Sequence, residues 1–439
     1  MRSVAFCLFL LLFCGTALFP RDTEQPGVAG FPDGGFALYA AAQNAHAPGL
    51  NFDTPPLLAP HLAGAPDISA TAAVLIDAAT GTVLYARNPG LEIPPASLTK
   101  VVAMHLVQNA VAAGRASMDE IVPIGIESWA QNQPPFSSLM FLEPGQIVTL
   151  RELMLGLAVP SGNDASVAVA LRFSPSVDEF TAEMTREMRR MGLVRTRFVE
   201  PSGISALNMT TAAEFTSFSR EYLRRHPRSL AEFHSVREFA FPTAANVRPA
   251  LRANPGTIVQ EIRNTLLWTF PGVDGLKTGF IPASGFNVAL TAARDDTRFI
   301  ATILGSTSAA DRNRDGDLLL SWAFDNFRTV RLATPRIDPA RLWKGRERQA
   351  ALLPTEPLVF TAPLDRVGDR AAPLWFAVEL DGPLVAPLPA FHPAGWLVLA
   401  DDAGEVHRVR LVTAREYGRG NIFRRAWGAI RLFFMGNNR

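Results

Sequence analysis

Three short motifs stand in fixed order along this chain: Ser97-Leu98-Thr99-Lys100, Ser161-Gly162-Asn163 and Lys277-Thr278-Gly279. A fold that uses them together must bring three distant stretches to one place. Each alone is weak, because an ordinary turn or a solvated lysine explains S-x-x-K, S-x-N or K-T-G in many sequences. The ordered set is far more specific. It supplies a hydroxyl with an amine one helical turn away, a second hydroxyl with an amide, and a second amine beside a glycine. That is the equipment for acyl transfer through a serine.

The spacing carries the chemistry. Residues three apart share a helix face, so Ser97 and Lys100 present oxygen and amine side by side, and a helix N-terminus at Ser97 favours negative charge. Lys100 serves as a base only when neutral, which requires burial and a neighbouring cation; Lys277 is the expected cation. Its charge also suits an anionic carboxylate, to which Thr278 can hydrogen-bond. Gly279 lets a substrate backbone approach the strand edge. The N–H groups of Ser97 and Phe280 are candidates for an oxyanion hole, worth about 3 to 4 kcal/mol per donor. Ser161 is suited to relay a proton between Lys100 and a leaving group, and Asn163 to orient the lysine or the substrate amide. No histidine relay competes: the seven histidines are scattered and no G-x-S-x-G elbow occurs. His105 reads as a helix-face or core residue.

With 439 residues, 48% hydrophobic and 19% charged, the chain has material for two or three domains with packed cores. A net charge of +1 and the lack of a long Lys/Arg run argue against nucleic-acid binding. Residues 1–20 read as an export signal, with Arg2, an apolar stretch over 4–13 and the small-x-small pattern Gly15-Thr16-Ala17. The alternative is an uncleaved membrane anchor, for which the run is short. Both cysteines, Cys7 and Cys14, lie inside that segment, so a processed chain has no thiol. No cofactor and no metal enter this reading. Residues 21–67, rich in Ala, Pro and Gly, read as a flexible linker or, alternatively, as irregular structure packed on the first domain.

Regular structure is expected to begin with a hairpin over 72–77 and 83–86, followed by a buried helix over 98–113. Thr149 and Glu152 form a T-x-x-E capping box. Asp164 is the expected N-cap of a helix over 164–171. Strands are expected at 273–280, 286–293 and 298–304, and a helical run at 318–324. Strands at both ends with helices between suggest an antiparallel sheet with an inserted helical lobe, the motifs meeting at their junction. Past residue 333, short alternating apolar runs read as a small β domain. In the last segment, Ile422, Phe423, Ala426, Trp427, Ile430, Phe433 and Phe434 share one helical face, with Arg424, Arg425 and Arg431 on the other. Such a helix lies in a membrane interface; the alternative is packing on its own β domain.

In their wider context these motifs resemble the D-alanyl-D-alanine carboxypeptidases, low-molecular-mass penicillin-binding proteins of the serine peptidase type. The resemblance rests on Pro95-Ala96-Ser97-Leu98-Thr99-Lys100, Phe136-Ser137-Ser138-Leu139-Met140-Phe141-Leu142 and Ser161-Gly162-Asn163-Asp164-Ala165. It continues in Met191-Gly192-Leu193 with Thr196 and Phe198, Thr210-Thr211-Ala212, and Gly272-Val273-Asp274-Gly275-Leu276-Lys277-Thr278-Gly279, covering about residues 68–327. S-G-N favours the carboxypeptidases over class A β-lactamases, which carry S-D-N. Two departures stand out: Phe280 replaces a histidine common after K-T-G, and Ser202 sits where a histidine often precedes glycine. Only the backbone N–H of residue 280 is needed, so activity is expected to survive, with substrate preference and turnover in question.

The resemblance implies an α/β (α+β) fold, with a β-lactamase/penicillin-binding-like antiparallel sheet and inserted helical lobe over residues 68–330. A small C-terminal β domain over 331–417 and an amphipathic anchoring helix over 418–439 would follow. It implies catalytic roles for Ser97, Lys100, Ser161, Asn163 and Lys277, and substrate binding by Thr278, Gly279, Phe280, Ser138 and Arg312. Arg312 would pair with the terminal carboxylate; a solvated surface arginine is the alternative. The implied enzyme removes the terminal D-alanine from peptidoglycan stem peptides ending in D-Ala-D-Ala and is acylated by β-lactam antibiotics. It would work at the periplasmic face of the cytoplasmic membrane, touching the membrane surface through its last helix. A D,D-endopeptidase, a β-lactamase and a non-catalytic cell-wall-binding protein are the alternatives.

Overall fold

A computed structural model describes residues 65–367, 373–402 and 404–436. The expected export signal and nearly all of the expected linker lie outside the described residues. Two compact units are present, residues 65–327 and residues 328–436.

The first unit is built on a five-stranded sheet: β1 (Ala72–Asp77), β2 (Val83–Arg87), β3 (Val273–Ile281), β4 (Gly285–Arg294) and β5 (Thr297–Ser306). Their order is β2-β1-β5-β4-β3 and all neighbours are antiparallel, with Val74 opposite Thr302 and Lys277 opposite Ala289. Every residue of β1 is buried. Strands covered on both faces read as continuous apolar runs, as AAVLI does here, rather than as alternation. β3 is an edge strand, and its K-T-G segment lies on the rim of the sheet.

Between β2 and β3 the chain makes five helices of 9 residues or more: α1 (Thr99–Ala112), α2 (Leu150–Ala158), α3 (Asn163–Phe173), α4 (Val177–Arg190) and α5 (Ala212–Arg225). A sixth, α6 (Ala309–Asn326), follows β5 and packs against it. A 3-10 turn at Ala96–Leu98 launches α1, whose Val101, Val102, Met104 and Val107 are all fully buried. Burying each such side chain favours the fold by about 1.5–3 kcal/mol. α2 starts where its capping box predicts: Glu152 N donates to Thr149 Oγ1 at 3.2 Å and Thr149 N donates to Glu152 Oε2 at 2.7 Å.

Two helix starts differ from expectation. Asp164 does not cap α3; it lies inside the helix, and its buried carboxylate accepts from Met140 N at 2.8 Å and Leu142 N at 3.0 Å. Those amides need acceptors once buried, and this tertiary demand outweighs the local capping preference. α6 begins well before residue 318, because Ser308 Oγ accepts from Asp311 N at 3.0 Å and caps a polar first half. Arg312 therefore sits inside the helix rather than ahead of it.

The second unit contains a four-stranded antiparallel sheet of β6 (Leu352–Pro354), β7 (Trp375–Leu380), β8 (Pro393–Asp401) and β9 (Gly404–Thr413), ordered β6-β9-β8-β7. Leu342, Leu384, Leu397, Val409, Leu411 and Tyr417 belong to its core. The last described element is α7 (Ile422–Gly436).

Candidate active site

Ser97 stands on a turn against which two glycines pack closely. Ala96 adopts φ 50, an unfavourable left-handed conformation for a residue with a Cβ. Gly203, at φ 87, lies so close that a Cβ there would be 1.9 Å from Ala96 O. A Cβ on Gly279 would lie 2.9 Å from both Pro95 O and Ser97 N. The edge strand and the serine turn are therefore in direct backbone contact. The space that the missing side chain of Gly279 leaves is filled by the turn that carries the serine.

Lys100 is completely buried at the start of α1. Its Nζ lies 3.1 Å from Ser97 Oγ and 2.8 Å from Asn163 Oδ1, and it also donates to the backbone carbonyl of Ser202. Burial is the largest influence on the amine and brings its pKa down to about 7, against the opposing pull of Glu200 and Asp164. Arg263 adds to this depression, and the Lys100 and Lys277 amines are coupled through their charges.

Ser161 takes the left-handed conformation at φ 65, a strained geometry of the kind that clusters at functional sites. Its Oγ is buried without a hydrogen-bond partner among the described residues. Gly162 precedes α3, and Asn163, the first residue of that helix, turns its side-chain oxygen to Lys100. Asn163 N donates to Ser138 O at 2.8 Å, so the segment around Ser138 is tied to the S-G-N turn through its backbone.

On β3, Lys277 is buried and donates to Thr278 O at 3.0 Å. Its pKa is held well below the ordinary lysine range, first by burial and then by the charges of Lys100, Arg263 and Arg312. Arg312 is 6% exposed, so the surface-arginine alternative fails. Its guanidinium donates to Asn313 Oδ1 at 2.9 Å, and burial lowers its pKa to about 10. Thr278 is buried, whereas the ring of Phe280 is 51% exposed and rests on Phe286, its cross-strand neighbour, with centroids 4.4 Å apart.

The three motifs thus meet around one pair of buried amines, with Arg263 and Arg312 near enough for their charges to act on Lys277. His105 stays apart from them, buried against Glu187 at 3.1 Å and His226 at 2.9 Å. Three contributors escaped sequence reasoning. Glu200 gathers Ser202 N at 2.7 Å, Gly203 N at 2.7 Å and Asn208 Nδ2 at 2.9 Å, which shapes the loop whose carbonyl meets Lys100. Asn208 and Arg263 are the others. Lone polar residues in irregular segments carry no periodicity or motif that could have announced them. Among the described residues no cluster of His, Cys, Asp and Glu has the make-up of a metal site.

A serine and a buried amine at the junction of a five-stranded antiparallel sheet and an inserted helical lobe define the class of active-site-serine enzymes with the penicillin-binding fold. Comparison with known proteins narrows this. Residues 60–308 match the model of the D-alanyl-D-alanine carboxypeptidase family. The carboxypeptidase DacD of Salmonella typhimurium is 33% identical over 367 residues, 82% of this chain and 89% of that protein. DacA of Escherichia coli K12 is 31% identical over 395 residues, covering 89% and 92% respectively. Penicillin binding protein 5 from Haemophilus influenzae superposes with a TM-score of 0.72 at 29% identity, over 82% of this chain and all of that one. The chain belongs to the D-alanyl-D-alanine carboxypeptidase family of serine peptidases, hydrolases that release a terminal D-alanine.

Proposed function

We propose that Ser97 is the acylated nucleophile and neutral Lys100 its base. One observation carries this reading. The oxygens of Asn163 Oδ1 and Ser202 O can only accept, so a neutral amine gives them its two N–H bonds and turns its single lone pair to Ser97 Oγ. The hydroxyl then donates to nitrogen, which is the arrangement proton abstraction needs.

As Ser97 Oγ attacks the carbonyl of the penultimate D-alanine, its proton passes to Lys100, and the N–H groups of Ser97 and Phe280 receive the developing oxyanion. Ser161 passes the proton on to the departing amine. Lys277, Thr278 and Arg312 hold the terminal carboxylate, and the segment at Ser138 lines the substrate's path. Arrival of that carboxylate supplies the counter-charge that returns a proton to Lys277; its positive charge then keeps Lys100 neutral. Water enters after D-alanine leaves, and Lys100 again takes the proton as the ester is cleaved. A β-lactam offers Ser97 the same kind of carbonyl, and its leaving amine stays tethered. A structure of penicillin-binding protein D2 from Listeria monocytogenes, 25% identical with a TM-score of 0.50, is of an ampicillin-bound form.

The test is to incubate the protein with a pentapeptide ending in D-Ala-D-Ala and, separately, with a fluorescent penicillin. Expected are D-alanine release and a label that mass spectrometry maps to Ser97. Labelling without release would favour the endopeptidase or the cell-wall-binding alternative, and a label on any other residue would refute the assignment.

The export and anchoring parts of the proposal rest on residues 1–20 and on α7. What supports the anchor is exposure: Phe423 is 81% exposed, Trp427 60% and Phe433 65%, while Gly428 is the one buried position among the side chains described from 422 to 434. Among the described residues no helix is long and apolar enough to cross a membrane, which fits a helix lying in the interface with its arginines at anionic headgroups. Removing residues 422–439 should abolish cosedimentation with vesicles of anionic phospholipid and leave hydrolysis of a soluble pentapeptide unchanged. Undiminished sedimentation would refute the anchor.

A further inference from the structure

Away from the reacting groups, a file of buried polar side chains runs from α1 to β3. Gln108 Nε2 lies 2.7 Å from Tyr222 Oη, Tyr222 Oη lies 2.8 Å from His234 Nε2, and His234 Nδ1 lies 3.0 Å from Leu276 O. Tyr222 and His234 are fully buried. Chemistry sets the direction of every bond. Leu276 O can only accept, so Nδ1 carries the proton; burial lowers the pKa of His234 to about 4, so the ring is neutral and Nε2 must accept. Tyr222 therefore donates to His234, and Gln108 donates to Tyr222. The file has one arrangement, and every member of it is satisfied.

Its two ends matter. Gln108 shares α1 with Lys100, two turns further along the same helix. Leu276 immediately precedes Lys277 on β3. The turn Leu230–His234 presses on the strand at this point: a Cβ on Gly275 would lie 2.9 Å from Leu230 Cδ2 and 3.2 Å from His234 Cβ.

We propose that Tyr222 and His234 are positioning residues that hold β3 at Leu276, and so aim Lys277 and Thr278 at the substrate's carboxylate. This rests on the reading above that those two residues bind the carboxylate. Acting through the carboxylate subsite, the file should matter for ligands that carry a free acid and not for those that lack one.

Acylation rates of the full-length protein with benzylpenicillin and with its methyl ester test this. Wild type should react faster with the acid. Tyr222→Phe removes one hydroxyl without opening a cavity, and should lower the acid's rate constant about tenfold, the size expected for a neutral buried hydrogen bond, while the ester's rate stays within about twofold. Equal loss with both ligands, or no loss, would overturn the proposal. Should Tyr222→Phe fail to fold, as judged by a cooperative melt, His234→Asn decides. Its amide occupies the Nδ1 position and still donates to Leu276 O, so it should keep more of the acid preference than His234→Ala, and equal loss in the two variants would overturn the proposal. If wild type does not discriminate acid from ester, the carboxylate assignment fails and takes this inference with it. If wild type discriminates and Tyr222→Phe does so equally, only the inference falls.

Discussion

Lys100→Met should lower the rate of acylation by penicillin about a thousandfold, within the range for loss of a general base, while the protein stays folded. Methionine keeps the length and apolar stem of the side chain and removes a buried amine. It leaves Asn163 Oδ1 and Ser202 O without their donor, at about 1–3 kcal/mol each, but lifts the cost of burying the amine, so the melt should change little. Lys100→Arg separates two explanations. Arginine keeps the charge but cannot give up its proton near neutrality, so it should fail as completely if proton abstraction is the role.

The pH dependence has a definite sign. With Lys100 near 7, the fraction of base-competent enzyme rises as pH passes upward through about 7, and kcat/KM should rise with it. Stability follows by linkage. The folded pKa of about 7 lies below the ordinary value of 10.5, so between these limits the unfolded chain binds more protons, and the fold gains stability as pH rises through that window. Lys100→Met should lose this part of the stability profile together with the rising limb of activity. Acylation by Lys100→Met at even a tenth of the wild-type rate would show that another group takes the serine proton.

What could be read from the residues, and what could not, divides by range. Thr149 and Glu152 start α2 as predicted because a capping box is made within one turn and needs nothing from elsewhere. The strands of the central sheet were legible for a similar reason, since apolar runs bounded by turns such as Asp295-Asp296 carry their own boundaries. Asp164 had the right chemistry for a cap and was claimed instead by two amides more than twenty positions earlier in the chain. The electrostatics of Lys100 were legible only in outline: burial was required by the chemistry, but the parts played by Glu200 and Arg263 depend on loop packing that no spacing encodes. Gly279 shows the same limit, since the strand could be foreseen and the turn pressed against it could not.

That contact leads to the other large effect. Gly279→Val should abolish most acylation although valine is at home in a strand and the position carries no catalytic group. The added Cβ would meet Pro95 O and Ser97 N at 2.9 Å and Ala96 Cβ at 3.0 Å, mostly backbone atoms that cannot rotate away. Nor is the turn free to shift, because Gly203 is packed against Ala96 O and Ser97 N, and Ala96 is already held at φ 50. The strand must therefore move outward from the turn. This separates the N–H of Ser97 from that of Phe280, the two donors proposed to share the oxyanion. An oxyanion donor out of place costs about 3–4 kcal/mol, so acylation should fall by about two to three orders of magnitude. Overpacking itself costs about 1–3 kcal/mol, enough to lower the melting temperature without unfolding the protein. Gly382→Val is the matching control, since a Cβ there meets nothing within 4 Å and the site lies in the other unit; its acylation should equal that of wild type. A Gly279→Val enzyme that is labelled by penicillin at the wild-type rate would mean that the serine turn tolerates displacement, and that the distance between the two donors does not control the reaction.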